Sequence, residues 1–407
     1  MRALIECGLF VGRRAGPWAR LALGVALAGH LACATAADAW TQEGQDAGAA
    51  SRNTEQSVLN PGNLGQMVTL WSRDLDIWAQ STGIAVADGQ VFVGRKVSDP
   101  DTTIRQQLMR LDLATGATIW KANSPESFAT PVLTDDLVIV AGNGLGLPAD
   151  ATIVRAYDRA TGERRWQYVH PLPSVSFKAP HLLNGVLYLV SLEGDTVALD
   201  AATGSVVWRR NHDANCCSTN GLAVADGVVL ISRSKGLLAL DASDGHTLWR
   251  YDMPDFRLVS VRPMIVDGVA MMFDHQGLLH KFELATGVEQ WSVTAPAGDF
   301  SSALGPMASD GERVFVLSGV VRPRLSAIDL ATGAVLWTVS PGKWTHSPIV
   351  SNGVLYLANH KHVMAFDPAT GAALPIAHLQ AMRWGELVIA DGHVLISGGP
   401  VRAFSLP

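Results

Sequence analysis

One phrase recurs along this chain and leaves little freedom over its fold: an apolar residue, Asp, two residues, Thr-Gly, three residues and Trp. It reads LDLATGATIW (Leu111–Trp120), YDRATGERRW (Tyr157–Trp166), LDAATGSVVW (Leu199–Trp208), LDASDGHTLW (Leu240–Trp249, with Asp244 for Thr), FELATGVEQW (Phe282–Trp291, with Glu283 for Asp) and IDLATGAVLW (Ile328–Trp337). A further copy, FDPATGAALP (Phe366–Pro375), carries Pro in place of Trp. Successive Trp residues lie 46, 42, 41, 42 and 46 positions apart. That spacing suits four short strands per repeat, and sheets repeated at this period close into a β-propeller.

Each copy reads as the hairpin between a blade's third and fourth strands. The Asp carboxylate accepts turn N–H groups, Gly supplies positive φ, and the β-branched run to Trp starts the next strand. A Trp at one fixed strand position in every blade is a packing residue between neighbouring blades. Upstream of the copies lie hairpins turned by Asp-Gly or Asn-Gly: VADGQVFVG from Val86, LNGVLYLV from Leu183, VADGVVLIS from Val224, VDGVAMMF from Val266, SNGVLYLA from Ser351 and IADGHVLIS from Ile389. They place blade starts near residues 82, 130, 179, 220, 262, 305, 347 and 384. The last blade has room for three strands before Pro407. Its fourth is expected from Met67–Asp74 (MVTLWSRD), with Trp71 at the repeat position, so the termini share a blade and no sheet edge is left open. The expected fold is all-β, an eight-bladed propeller of four-stranded antiparallel blades, with seven blades as the fallback count.

Apolar residues are 48% of the chain and charged residues 17%, enough for a large core and too little charge for a disordered chain. The net charge of −6 argues against a nucleic-acid partner or an anionic membrane surface. The N-terminus reads as a targeting segment over residues 1–39. Arg2, Arg13, Arg14 and Arg20 precede the apolar run Leu21–Ala28, which is too short to span a bilayer, and cleavage is expected after Ala36 or Ala39. A lipidated Cys33 is the alternative, although His30 stands where that signal wants Leu. A leader (40–66) and a single propeller (67–407) follow. The expected location is periplasmic or secreted.

With Cys7 and Cys33 in the targeting segment, the mature chain keeps one adjacent pair, Cys216-Cys217. An even count in an oxidising compartment predicts a disulfide, and within the chain each has only its neighbour to pair with. Such a bond is strained, because adjacent Cα atoms stand about 3.8 Å apart.

The repeat resembles the pyrroloquinoline-quinone (PQQ) repeat family, which holds quinoprotein alcohol dehydrogenases, BamB-type outer-membrane assembly factors and many exported propellers. The resemblance covers about residues 40–407, and the segment from Trp40 to Trp71 looks like the leader of the quinoprotein branch. That likeness implies a vicinal disulfide over a quinone for Cys216-Cys217, just before a blade's first strand. The chain also departs from that pattern: Ser218-Thr219-Asn220-Gly221 follows the pair where the family has a quinone-binding Arg, and no Asp-centred calcium motif or Asp-x-Trp segment is present.

First strands line a propeller's channel, so polar residues at their starts are the candidate ligand contacts: Lys178, Asn220, Arg262, Lys343, His346, Arg383 and Trp384. Several cations on one axis would suit a small anionic ligand. His360-Lys361-His362 reads as a turn rather than a metal site, and His212 and Asp213 precede the cysteines. No phosphate loop and no nucleophile elbow occurs. Three functions follow: an exported module binding a ligand, or a protein at a propeller face; a PQQ-dependent alcohol dehydrogenase, with calcium; or an accessory enzyme activity built in the channel.

Overall fold

The computed structural model describes residues 38–75, 83–96, 106–124, 126–128, 130–144, 151–173, 177–211, 221–253, 261–297, 307–319, 321–343, 345–381 and 386–407. The Asp-Gly and Asn-Gly pairs make the tight turns their chemistry favours. In Asp88-Gly89, Asn184-Gly185, Asp226-Gly227, Asp267-Gly268, Asn352-Gly353 and Asp391-Gly392 both residues take positive φ, from 43° to 77°. That backbone follows the right-handed twist of the strands it joins.

The strands assemble into eight sheets. Blades one to seven run 84–123, 126–173, 181–211, 221–252, 264–294, 308–339 and 346–374. Their first strands start within a few residues of the expected positions. Blade eight combines Leu387–Ala390, His393–Ile396 and Pro400–Ser405 with Val68–Asp74, which lies antiparallel to the last of these and sets Trp71 opposite Ala403. The N-terminal strand therefore closes the ring, as expected. First strands of neighbouring blades pack on one another; Ile84–Ala87 touches both Val132–Leu133 and Leu387–Ala390. This places the first strands innermost.

The core lies between blades rather than at one centre. Val132, Ile139, Val154, Leu187 and Val197, for example, fill the layer between blades two and three. At the outer rim each repeat Trp lies on the glycine turn of the following blade, Thr-Gly in six blades and Asp244-Gly245 in blade four. A Cβ built on Gly116, Gly162, Gly204, Gly245, Gly287, Gly333 or Gly371 would come within 2.4–2.9 Å of the indoles of Trp71, Trp120, Trp166, Trp208, Trp249, Trp291 and Trp337 respectively. Six of these indoles also donate Nε1–H, at 2.7–3.1 Å, to the carbonyl of the residue after the acidic turn residue: Leu113, Arg159, Ala201, Ala242, Leu284 and Pro368. The recurring phrase is thus a plug and a socket. Each copy's Trp fits the next copy's Gly.

This explains why the seventh copy ends in Pro375. Its socket would be a Thr-Gly turn in blade eight, and there the third and fourth strands come from opposite ends of the chain. Leader residues Leu59, Leu64 and Met67 instead join the cluster uniting blades seven, eight and one, with Leu374, Ile376 and Ala377 packed against it. The Ala377 N–H donates to the Leu64 carbonyl at 3.1 Å.

Candidate functional site

The innermost strand of every blade has a free edge of backbone donors facing the axis. Residues Asp38–Asn53 satisfy those edges in one circuit. The Asp38 carbonyl accepts from Asp391 of blade eight at 2.6 Å, and Trp40 exchanges two backbone bonds with Val86 of blade one, at 2.7 and 2.8 Å. Leu133 of blade two donates to the Thr41 carbonyl at 2.8 Å. Leu182 of blade three donates to the Gln42 side chain at 2.7 Å. Val224, Ile265, Ser309 and Val350 of blades four to seven then donate to Ala47, Gly48, Ala50 and Ser51 at 2.6–3.0 Å. Asn53 returns to blade eight, its Nδ2 donating to the Ile389 carbonyl at 2.8 Å. The leader therefore lies across the axis near the hairpin ends of the first strands, touching all eight blades in order.

The leader carries two carboxylates into the ring. Glu43 meets Arg262, whose Nη1 donates to Oε1 at 2.5 Å while Nη2 donates to Ser51 Oγ at 3.0 Å. The Arg262 side chain is only 8% exposed, and its Nε has no partner among the described residues. Two glycines make room for it: a Cβ on Gly44 would come 2.8 Å from Nη2, and one on Gly221, at φ 135°, would come 2.8 Å from the Arg262 Cβ. Burial pushes Asp46 above its ordinary carboxylate range, against the pull of the Ala50 N–H, Arg52 and Arg262.

Two further groups stand at the starts of first strands. Glu386 of blade eight accepts the Ile84 N–H of blade one at 2.9 Å and the Thr130 hydroxyl of blade two at 3.2 Å. Burial, reinforced by repulsion from Glu43, pushes its carboxyl up to about 7, and the two hydrogen bonds and Arg262 only partly oppose this. His181 of blade three is 1% exposed. Burial and then the Arg262 charge pull its imidazole down to about 4, so it is neutral at physiological pH. Its Nδ1 has no partner among the described residues.

Of the residues proposed from sequence, Arg262 reaches the axis as a buried cation held by the leader. Lys178 is half-buried, with its N–H bonded to the Val190 carbonyl at 3.0 Å. Lys343 is exposed, and its carbonyl faces His360. His346 opens the first strand of blade seven. Asn220, Arg383, Trp384, Cys216 and Cys217 lie outside the described residues, as do His212, Asp213 and the targeting segment. His360-Lys361-His362 lies in the turn before Val363–Phe366, the third strand of blade seven. The sequence reading missed Glu43, Asp46, His181 and Glu386. His181 and Glu386 stand at strand starts, as the chosen candidates did, and carried a signal; the leader carboxylates carried none.

A polycarboxylate quinone needs several unengaged cations around it. The described axis offers one buried guanidinium, already paired, among Glu43, Asp46 and Glu386. Among the described residues no three His, Cys, Asp or Glu side chains gather as a metal-holding set. The described residues therefore do not fit PQQ with calcium. No helix among them is long and apolar enough to cross a membrane.

Comparison with known proteins agrees with the ring. The chain is 22% identical over 334 residues to the outer membrane protein assembly factor BamB of Yersinia pestis, covering 75% of this chain and 81% of that one. BamB from Moraxella catarrhalis superposes with a TM-score of 0.61 at 17% identity, over 83% of this chain and 97% of that chain. The quinohemoprotein alcohol dehydrogenase from Comamonas testosteroni gives a TM-score of 0.71 at 14% identity, over 91% of this chain and 80% of that one; at such identity these likenesses speak to fold alone. The family described as outer membrane protein assembly factor BamB matches residues 63–183 and 150–374, most of the ring, and the chain belongs to this PQQ-repeat propeller family.

Proposed function

We propose that this chain is an exported binding module of the cell envelope, a scaffold that recruits a protein partner to a propeller face. The observation that carries this reading is the Glu43–Arg262 pair at 2.5 Å: the buried axial cation, where a cofactor's carboxylate would be expected to bind, is neutralised by the chain's own leader. Outer-membrane protein assembly, the role named for the relatives, is the first context to examine. The contacts of Asp38 with blade eight, including a 3.0 Å bond from the Gly392 N–H, favour signal cleavage after Ala36 over cleavage after Ala39, which would remove them.

A second reading, a quinoprotein-like dehydrogenase, draws support from the fold likeness to the alcohol dehydrogenase and from Glu386, a carboxyl poised near neutrality as a base would be. One experiment separates the two. The mature chain is incubated with PQQ and calcium, passed through a desalting column, and assayed for retained quinone and dye-linked alcohol oxidation. In parallel, the chain is cross-linked in its native envelope and its partners are identified. The binding-module reading expects a cross-linked envelope protein and no retained quinone. Stoichiometric quinone with alcohol oxidation would overturn it.

A further inference from the structure

We propose that Glu386 is the seat of an axial binding site for a protonated amine or a guanidinium group. The inference rests on the binding-module reading and deepens it by naming a ligand chemistry.

Glu386 is held by contacts that the fold has made room for. Its side chain reaches from blade eight across Ile84 of blade one to Thr130 of blade two, at 2.9 and 3.2 Å. Residue 83 has to be glycine for this bridge, since a Cβ there would stand 2.0 Å from Thr130 Oγ1. Both donors are neutral, so they position the carboxylate without matching its charge. Among the described residues no cation is in contact with it. Arg262 influences it electrostatically but is committed to Glu43 and Ser51.

A second, independent group points the same way. His181 lies beside the Glu43–Arg262 pair, its ring is 1% exposed, and Nδ1 has no partner among the described residues. A neutral imidazole has one donor and one acceptor nitrogen, and the buried Nδ1 is left open. The open positions on the axis are thus a carboxylate and the imidazole Nδ1, with Trp40 Nε1 of the leader and Arg262 Nε as buried donors that have no partner among the described residues. An ammonium brings three donors, no acceptor and the missing positive charge. An anion would meet Glu43, Asp46 and Glu386 with one engaged arginine to receive it. The leader lies across the hairpin side of the ring, and Glu386 stands at the opposite end, where the first strand of blade eight begins.

The same chemistry is available from a free amine or from a Lys or Arg side chain of a protein. The test titrates the full mature chain by calorimetry with spermidine, with a lysine-rich peptide, and with acetate as the opposite charge. The isosteric variant Glu386→Gln is titrated alongside. Saturable binding of an amine probe is expected, weakened about tenfold or more in Glu386→Gln, since a hydrogen bond to a charged group contributes on that scale. Acetate should give no heat. Spermidine alone marks a free amine as the source, and the peptide alone or more tightly marks a side chain. A second measurement needs no variant. Carbodiimide joins a carboxylate to an amine in contact with it, and peptide mapping should find the label on Glu386. Three outcomes overturn the proposal: no amine binding at tens of millimolar, equal affinity in Glu386→Gln, or label confined to surface carboxylates. None of these bears on the envelope cross-linking, so the two readings can fail separately.

Discussion

At the rim, seven blades receive the previous blade's Trp on a glycine turn of the same form, Thr-Gly in six and Asp244-Gly245 in blade four. On the axis the side chains differ from blade to blade: blade eight supplies Glu386, blade two Thr130, blade three His181 and blade five Arg262, and the leader adds Glu43 and Asp46. The rim interaction is local and self-complementary, so one phrase copied along the chain builds every interface. The axis is where residues far apart in sequence meet, and each blade is free to differ there once the rim holds the ring. Stability is written in the repeat, and specificity in its exceptions.

The comparison can be broken most sharply at the rim. Replacing Trp208 with Ala should cost about 3–5 kcal/mol, the usual scale for removing a large buried aromatic, because the 6% exposed indole and its 2.9 Å bond to Ala242 are lost together. Gly245→Ala should also destabilise, both by its φ of 75° and by collision with that indole. In the Trp208→Ala background the backbone penalty should remain, about 1–2 kcal/mol, with the flexible Arg210 side chain, whose Cγ would lie 2.9 Å from the new Cβ, free to move aside. Denaturant melts of the two single variants and the double variant check this, and strictly additive costs would remove the plug-and-socket account.

The axis should show itself through pH. Glu386 binds its proton more tightly in the fold, at about 7 against an ordinary 4.5, so its contribution falls as pH rises through that interval. His181 binds its proton less tightly, at about 4 against 6.5, so its contribution is lost as pH falls from 6.5 towards 4. The two oppose each other across the shared interval. Glu386→Gln should therefore steepen the loss of stability on acidification below neutrality, by up to about 2–3 kcal/mol near pH 4.5 relative to pH 7. Thermal melts across that range measure the slope. An unchanged slope would mean that Glu386 is not desolvated. The rim responds lower on the scale: the Thr hydroxyls beside Asp112, Asp200 and Asp329 hold those carboxyls below their ordinary 3.8, so their contribution is lost only as pH falls below that value.

The smallest expected effect is also informative. Pro375→Trp restores the repeat phrase in the seventh copy, yet should give no gain in melting temperature, because blade eight has no Thr-Gly turn to receive the indole. A gain comparable to the loss in Trp208→Ala would show that the indole needs no socket.

By itself the sequence determined the all-β class, the blade boundaries, the tight turns and the closure by Val68–Asp74. These follow from interactions a few residues long, repeated at a fixed period, in which Gly, Asp, Thr and Trp each have one physical task. It also pointed to Arg262 as an axial cation. Only the tertiary structure decided what that cation faces. The leader's path around eight first strands brings Glu43 to Arg262 across 219 positions, and closure of the ring brings Thr130 to Glu386 across 256. No periodicity encodes such meetings, because the leader occurs once and its register is set by the free backbone edges it satisfies. For the same reason Pro375 marks the end of the repeat, since a plug has a use only where the next blade offers a socket.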